Sequence, residues 1–296
     1  MGSGKYDSDS LHMFICDKLH TFIIFYSISM NVMQQDKWIH FVKSTNQLTI
    51  AYTEDSLETD QFIKDLSGYR NTMIFLLNPD IDFPPPKKPY RYDKYFRKEE
   101  LPENYESIDY YEKINTEVID IIEKNNLHIV TFSASMSHHN ITCINVGVNP
   151  QFRQLPIKEK PILCYVNMGM PCDRWFGNPR KDFKAAPFMV QRSNLSMDSF
   201  HEDIAKSKFM ICPRGCGIDT HRMWDCIMLG CIPIIKRYHG YKGFDDLPIL
   251  FVDNYDVTEE LLNETYEAYS KKTFCYEKCT MEYWIDTVLR RKAIFL

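Results

Sequence analysis

Short apolar runs alternate with helical patterns along most of this chain, which is how stacked α/β layers are written. Leu48 to Thr53 (LTIAYT), Thr72 to Leu77 (TMIFLL) and Leu127 to Phe132 (LHIVTF) read as strands, with helical patterns at Leu57 to Leu66 and Tyr110 to Lys124 between them. The alternation breaks into proline and charge over Gly147 to Lys160 (GVNPQFRQLPIKEK), a composition shift that marks a domain boundary near residue 150. It then resumes with strands at Pro161 to Asn167, Phe209 to Cys212, Ile232 to Ile235 and Ile249 to Val252. Helices are expected at Ser199 to Lys206, Asp219 to Leu229, Val257 to Ser270 and Glu277 to Arg291. The chain therefore reads as α/β with two domains, 1–150 and 151–296. Its 296 residues, 44% of them hydrophobic, are enough to give both a core.

A formal charge of −5 supplies no global electrostatic reason to bind nucleic acid. Several of the ten cysteines, among them Cys212, Cys226 and Cys231, fall inside apolar runs and read as buried thiols. The pairs Cys212/Cys216 and Cys275/Cys279 are not CxxC and no paired histidines accompany them, so no metal is expected; a Cys275–Cys279 disulfide is an alternative. Leu19 to Met33 is uncharged for fifteen residues, short of the ~20 a spanning helix needs. It reads as a packed helix or strand rather than an anchor. The expectation is a soluble, cytoplasmic protein without firm membrane contact, a Golgi lumen being the alternative.

The densest chemistry lies in Phe209 to Ile235, FMICPRGCGIDTHRMWDCIMLGCIPII. An apolar strand, a glycine-containing turn and a helix start form a recurring phosphate site, because unpaired N–H groups and the helix dipole favour an anion there. Gly215 and Gly217 would allow close backbone approach and positive φ, and Asp219 or Thr220 would cap the helix. Gly230 would end it in the left-handed conformation. His221 and Arg222 place cations in a first helical turn, against the macrodipole by roughly 0.3–1 kcal/mol each. A bound diphosphate reverses that sign and accepts charge-assisted hydrogen bonds from Arg214 and Arg222. The competing reading pairs Asp219 with Arg222 at i, i+3 and leaves His221 merely packed. Asp225, one turn after His221, offers a carboxylate to two ribose hydroxyls, or else a partner to Arg222.

CPRGCGIDTHRMWDCIMLGCIPII, followed by FDDLPILFVDNYDVTEELL, resembles the C-terminal motif block of exostosin-like glycosyltransferases: a CPRG-type turn, an HR-W-acid helix and a G-x-IP strand in that order. The likeness covers about Ser207 to Leu262, with Asp225 where the family usually has Glu. It implies a GT-B fold, two Rossmann-like domains facing across a cleft, the first on the acceptor side and the second holding a nucleotide-sugar. It implies inverting sugar transfer from a UDP-linked donor, such as xylose, galactose, glucuronate or N-acetylglucosamine, to a glycan or glycoprotein hydroxyl. It also implies that no metal or other cofactor is required.

Under that reading Arg214, Arg222 and the helix start stabilise the departing diphosphate, with Gly215, Gly217, Asp219, Thr220, His221 and Asp225 completing the donor site. Asn167, Gly169 and Arg174 follow the first strand of the second domain, at the edge where ligands of doubly wound sheets bind. A base for the acceptor hydroxyl is sought at strand ends of the first domain, with Asp80 and His138 the candidates and Glu54, Asp55, Asp82 and His139 beside them. Aromatics of the loop segment KPYRYDKYF are candidates to stack on sugar rings, the alternative being a tyrosine-rich loop that packs on itself. Two alternatives stand: GDP-fucose-type transfer on the same fold, and a glycan- or nucleotide-binding protein without catalysis.

Overall fold

The computed structural model describes residues 12–15, 22–25, 48–50, 66–76, 108–149 apart from 133 and 135, 151–168 apart from 157 and 158, 183–238 apart from 216 and 217, and 241–295 apart from 242. Strands β1 (His12–Ile15) and β2 (Phe22–Phe25) form an antiparallel pair. Thus Phe22–Phe25 of the uncharged stretch near the N-terminus is strand. The rest of that stretch lies outside the described residues.

Two parallel sheets follow. The first holds β3 (Leu48–Ile50), β4 (Thr72–Leu76), β5 (Leu127–Thr131) and β6 (Ile141–Cys143), side by side in chain order. Helix α1 (Ile108–Lys124) packs on it: Val118 and Ile122 share a buried cluster with Ile74, Leu127 and Ile129. The second sheet holds β7 (Ile162–Val166), β8 (Met189–Gln191), β9 (Ser207–Ile211), β10 (Ile232–Lys236) and β11 (Leu250–Val252), in the order β11-β10-β9-β7-β8. Its helices are α2 (Met197–Ala205), α3 (His221–Met228) and α4 (Glu259–Tyr269). A 3-10 turn (Tyr276–Cys279) leads into α5 (Met281–Phe295), so the segment expected as one helix from Glu277 is broken at Thr280.

The second sheet is apolar on both faces, and the period of two sorts its residues between layers. Phe209 and Ile211 of β9 join Cys164, Val166, Ile232 and Ile234 beneath Leu262 of α4. Met210 and Cys212 point the other way, into a cluster with Tyr165, Ile235 and the α3 residues Met223, Trp224, Cys226 and Ile227. Fully burying such side chains contributes about 1.5–3 kcal/mol each. That second cluster also contains Met73, Val130 and Ile144 of the first half and Trp284 and Val288 of α5, so one apolar body is continuous across both sheets.

The short strands β6 (ITC) and β8 (MVQ) escape the sequence reading because each mixes apolar and polar residues over three positions, whereas the equally short β3 and β11 lie within the longer patterns LTIAYT and ILFV. On the far edge of the second sheet, Lys160 Nζ donates to the carbonyls of Ala205, Ser207 and Leu229 at 3.0, 3.1 and 3.2 Å. An ammonium there satisfies the C-terminal carbonyls of two helices.

Candidate functional site

Counted from β7, the second sheet runs 2-1-3-4-5, so the winding direction reverses between β7 and β9. In open parallel sheets ligands bind outside the C-terminal ends of the strands at that reversal. Asn167 lies just beyond β7, its Nδ2 donating to Tyr165 Oη at 3.2 Å. Beyond β9 comes the turn carrying Arg214, whose side chain is 1% exposed and whose guanidinium lies 5.7 Å from the centre of the Tyr238 ring. Tyrosines from the loops after the next two strands hold this turn at both ends. Tyr241 Oη donates to Ile218 O at 2.5 Å and Tyr255 Oη to Cys212 O at 3.5 Å. Gly215 does not adopt positive φ, and a Cβ built on it would meet Thr220 Cγ2 at an ordinary 3.5 Å. Its own conformation therefore does not demand glycine. Gly217, Gly169 and Arg174 lie outside the described residues.

Helix α3 begins at His221, two residues later than expected, with Thr220 extended at the N-cap and making no side-chain capping bond. Asp219 caps nothing by its side chain in the usual sense; it is 6% exposed and turned inward. Its Oδ2 accepts from Val146 N–H at 2.7 Å, and Trp224 Nε1–H is shared between its two oxygens at 2.8 and 3.0 Å. Burial pushes its carboxyl up to about 7, against these hydrogen bonds, which favour the ionised form. His221 Nδ1 lies 2.8 Å from Gly147 O. Asp225 Oδ1 accepts from Asn149 N–H at 2.8 Å, and Asp225 Oδ2 lies 3.3 Å from His201 Nε2, both side chains being 1% exposed.

These contacts correct two sequence expectations. Asp225 does not present its carboxylate to solvent: it is 1% exposed, with one oxygen accepting from Asn149 N–H and the other against His201. Neither aspartate pairs with Arg222. Instead positions 219, 221 and 225 together fasten residues 146, 147 and 149 of the segment that leaves the first sheet. Gly147, at φ +77°, supplies the left-handed turn that bends this segment along α3. Gly230, at φ +67°, ends α3 in the left-handed region, as its position implies.

Arg222 remains at the helix start. Its guanidinium lies 5.8 Å from the Phe200 ring centre, and Nη1 is buried without a hydrogen-bond partner. Among the described residues no carboxylate pairs with it. A sealed N–H of a cation costs about 1–3 kcal/mol or more unless an acceptor completes it.

The expected base candidates fare differently. Asp80 lies outside the described residues, as do Glu54, Asp55, Asp82 and the tyrosine-rich loop. His138 precedes β6, and its Nε2 lies 3.2 Å from Glu123 Oε1 at the end of α1, while Asn140 N–H donates to its Nδ1 at 3.2 Å. The chain leaving β5 has thus turned back, so His138 sits at the edge where β6 begins, opposite the C-terminal strand ends, with both ring nitrogens engaged. That geometry sets His138 away from the edge where the diphosphate is expected to bind. The thiols of Cys275 and Cys279 are unbridged. Among the described residues no group of three or more His, Cys, Asp or Glu side chains is arranged to hold a metal ion, and no helix is long and apolar enough to cross a membrane.

Sequence reasoning passed over His201. Its signal was the spacing Met197, His201, Ile204, Ala205, which places the imidazole on the apolar stripe of α2 and so demands a buried partner. No protein-family model matches the chain, and no curated protein matches it.

Proposed function

We propose that this chain is a glycosyltransferase of the GT-B type, binding a nucleotide-diphosphate sugar at the C-terminal edge of the second sheet and transferring the sugar to a glycan hydroxyl with inversion. The observation that carries the reading is Arg222: a guanidinium with one N–H sealed from water and lacking an acceptor, at the start of α3. A diphosphate supplies that acceptor and reverses the unfavourable meeting of cation and helix dipole. Support comes from the winding reversal between β7 and β9, which brings Asn167 and the Arg214 turn to one sheet edge, and from the exostosin-like order of CPRG, HR-W-acid and G-x-IP.

The chemistry asked of the site is charge stabilisation. As the bond from the sugar to the diphosphate lengthens, negative charge collects on the leaving oxygens, and Arg214, Arg222 and the first N–H groups of α3 are fixed in place to receive it. Asp219 and Asp225 act at one remove, by holding α3 against the segment Val146–Asn149.

Calorimetric titration of UDP and GDP tests this and discriminates between the two donor bases. The wild-type chain should bind one diphosphate, and Arg222→Ala should weaken it by roughly 10- to 150-fold, the equivalent of one lost charge-assisted bond. Absence of binding by the wild type, or unchanged affinity in the variant, overturns the reading.

A further inference from the structure

The glycosyl-transfer reading leaves the proton of the acceptor hydroxyl without a destination, and the geometry at the start of α3 supplies one. Of the five described acid–base groups weighed for the site, three are engaged at every polar atom, and a fourth, His139, lies with its ring centre 4.2 Å from that of His138, at the same distant edge. Asp219 receives Val146 and Trp224, Asp225 receives Asn149 and contacts His201, and His138 is held between Glu123 and Asn140. His221 differs. A carbonyl oxygen can only accept, so the 2.8 Å contact to Gly147 O requires that Nδ1 carry the hydrogen. In the neutral ring Nε2 is then the lone-pair nitrogen. It has no protein partner among the described residues and, unlike Arg222 Nη1, is not buried away from solvent.

This is the arrangement of an oriented general base: one ring nitrogen anchored to a backbone carbonyl, the tautomer fixed by that anchor, and the other nitrogen open. The anchor lies in the segment arriving from the first sheet, the side expected to carry the acceptor. We propose that His221, read from sequence as a donor contact, is the catalytic base. This assignment rests on the glycosyl-transfer reading. The incoming hydroxyl oxygen forms the bond to the anomeric carbon and its proton passes to His221 Nε2. The bond from that carbon to the diphosphate breaks with its electron pair leaving on the diphosphate, and the imidazolium returns its proton to solvent. No oxidant or further reactant is needed.

His221→Asn tests the assignment, because an asparagine amide can still donate to Gly147 O while lacking a basic nitrogen. The probes are UDP and GDP for binding, and the release of nucleoside diphosphate from UDP-xylose, UDP-galactose, UDP-glucuronate, UDP-N-acetylglucosamine and GDP-fucose, with water as the acceptor. The expected result is diphosphate affinity within about twofold of wild type and release slowed by about 10²- to 10⁴-fold, the usual worth of a general base. His221→Ala should behave likewise and regain release on addition of free imidazole, which a purely structural role would not produce. Unchanged release in His221→Asn overturns the assignment, as does a loss of diphosphate affinity that matches the loss of release. Binding without release from any donor by the wild type leaves the donor site standing and removes the base. Failure of both diphosphates to bind the wild type overturns the glycosyl-transfer reading itself.

Discussion

In the first sheet, polar side chains find partners close by: His128 Nε2 lies 2.8 Å from Thr142 Oγ1 on the neighbouring strand, and His138 meets Glu123 at the end of the adjoining helix. In the second, Asp219, His221 and Asp225 reach instead to the backbone of residues 146, 147 and 149, more than seventy positions earlier in the chain. The first pattern stabilises one layer. The second ties a helix of one sheet to the segment leaving the other, so the placement of α3 and the path of that segment are determined together. Any ligand held at the start of α3 is then held by a helix whose position depends on both halves of the chain.

The sharpest break of this contrast is Asp225→Ala. Removing the carboxylate leaves the Asn149 N–H without its acceptor and strips His201, 1% exposed, of its partner at Nε2. A stranded buried imidazole and a partly buried N–H should together cost about 3 kcal/mol, read as a lower urea midpoint with unchanged slope. A variant of wild-type stability would show that the link across the two halves is not energetically significant.

The layers and this link were not equally legible in the sequence. β5, β7, β9 and β10 are five-residue runs largely buried on both faces, and their mainly apolar character is a local property that a window of sequence records. Arg214 and Arg222 were visible for the same reason, as cations standing beside an otherwise apolar helix. The partners of Asp219 and Asp225 were not, because each accepts from a backbone N–H, and every residue but proline has one. The place of His138 was not legible because the end of β5 was visible while the return of the chain to the start of β6 was not.

A second test uses protons. Asp219 keeps its proton up to about 7 in the fold against 3.8 ordinarily, while burial and nearby positive charge depress His128 from 6.5 to about 4. Between pH 4 and 6.5 the unfolded chain has released the Asp219 proton that the native state retains, so this group lowers stability as pH rises, by about 1.4 kcal/mol per unit. Over the same window the unfolded chain binds a proton at His128 that the native state refuses, so His128 raises stability with pH by a similar slope. The two nearly cancel in the wild type. Asp219→Asn should uncover the rising slope and His128→Gln the falling one, measured as the difference from wild type in urea unfolding at pH 4.5, 5.5 and 6.5. A difference that stays flat in either variant would mean that the corresponding group does not shift as its burial requires.

The smallest effect is expected at the exposed end of the first sheet, and it calibrates the others. Glu123 is 57% exposed on its side chain and His138 9%, so their 3.2 Å contact is reached by water and salt from the carboxylate side. Water already solvates the carboxylate well there, so pairing adds little beyond what hydration supplies, and side-chain ordering offsets part of it. Glu123→Gln should therefore move unfolding free energy by no more than about 0.5 kcal/mol at neutral pH, and high salt should erase even that. If this substitution proved as damaging as Asp225→Ala, the distinction between local contacts in one sheet and long-range ties in the other would fail, since a surface pair would carry as much stability as a buried link.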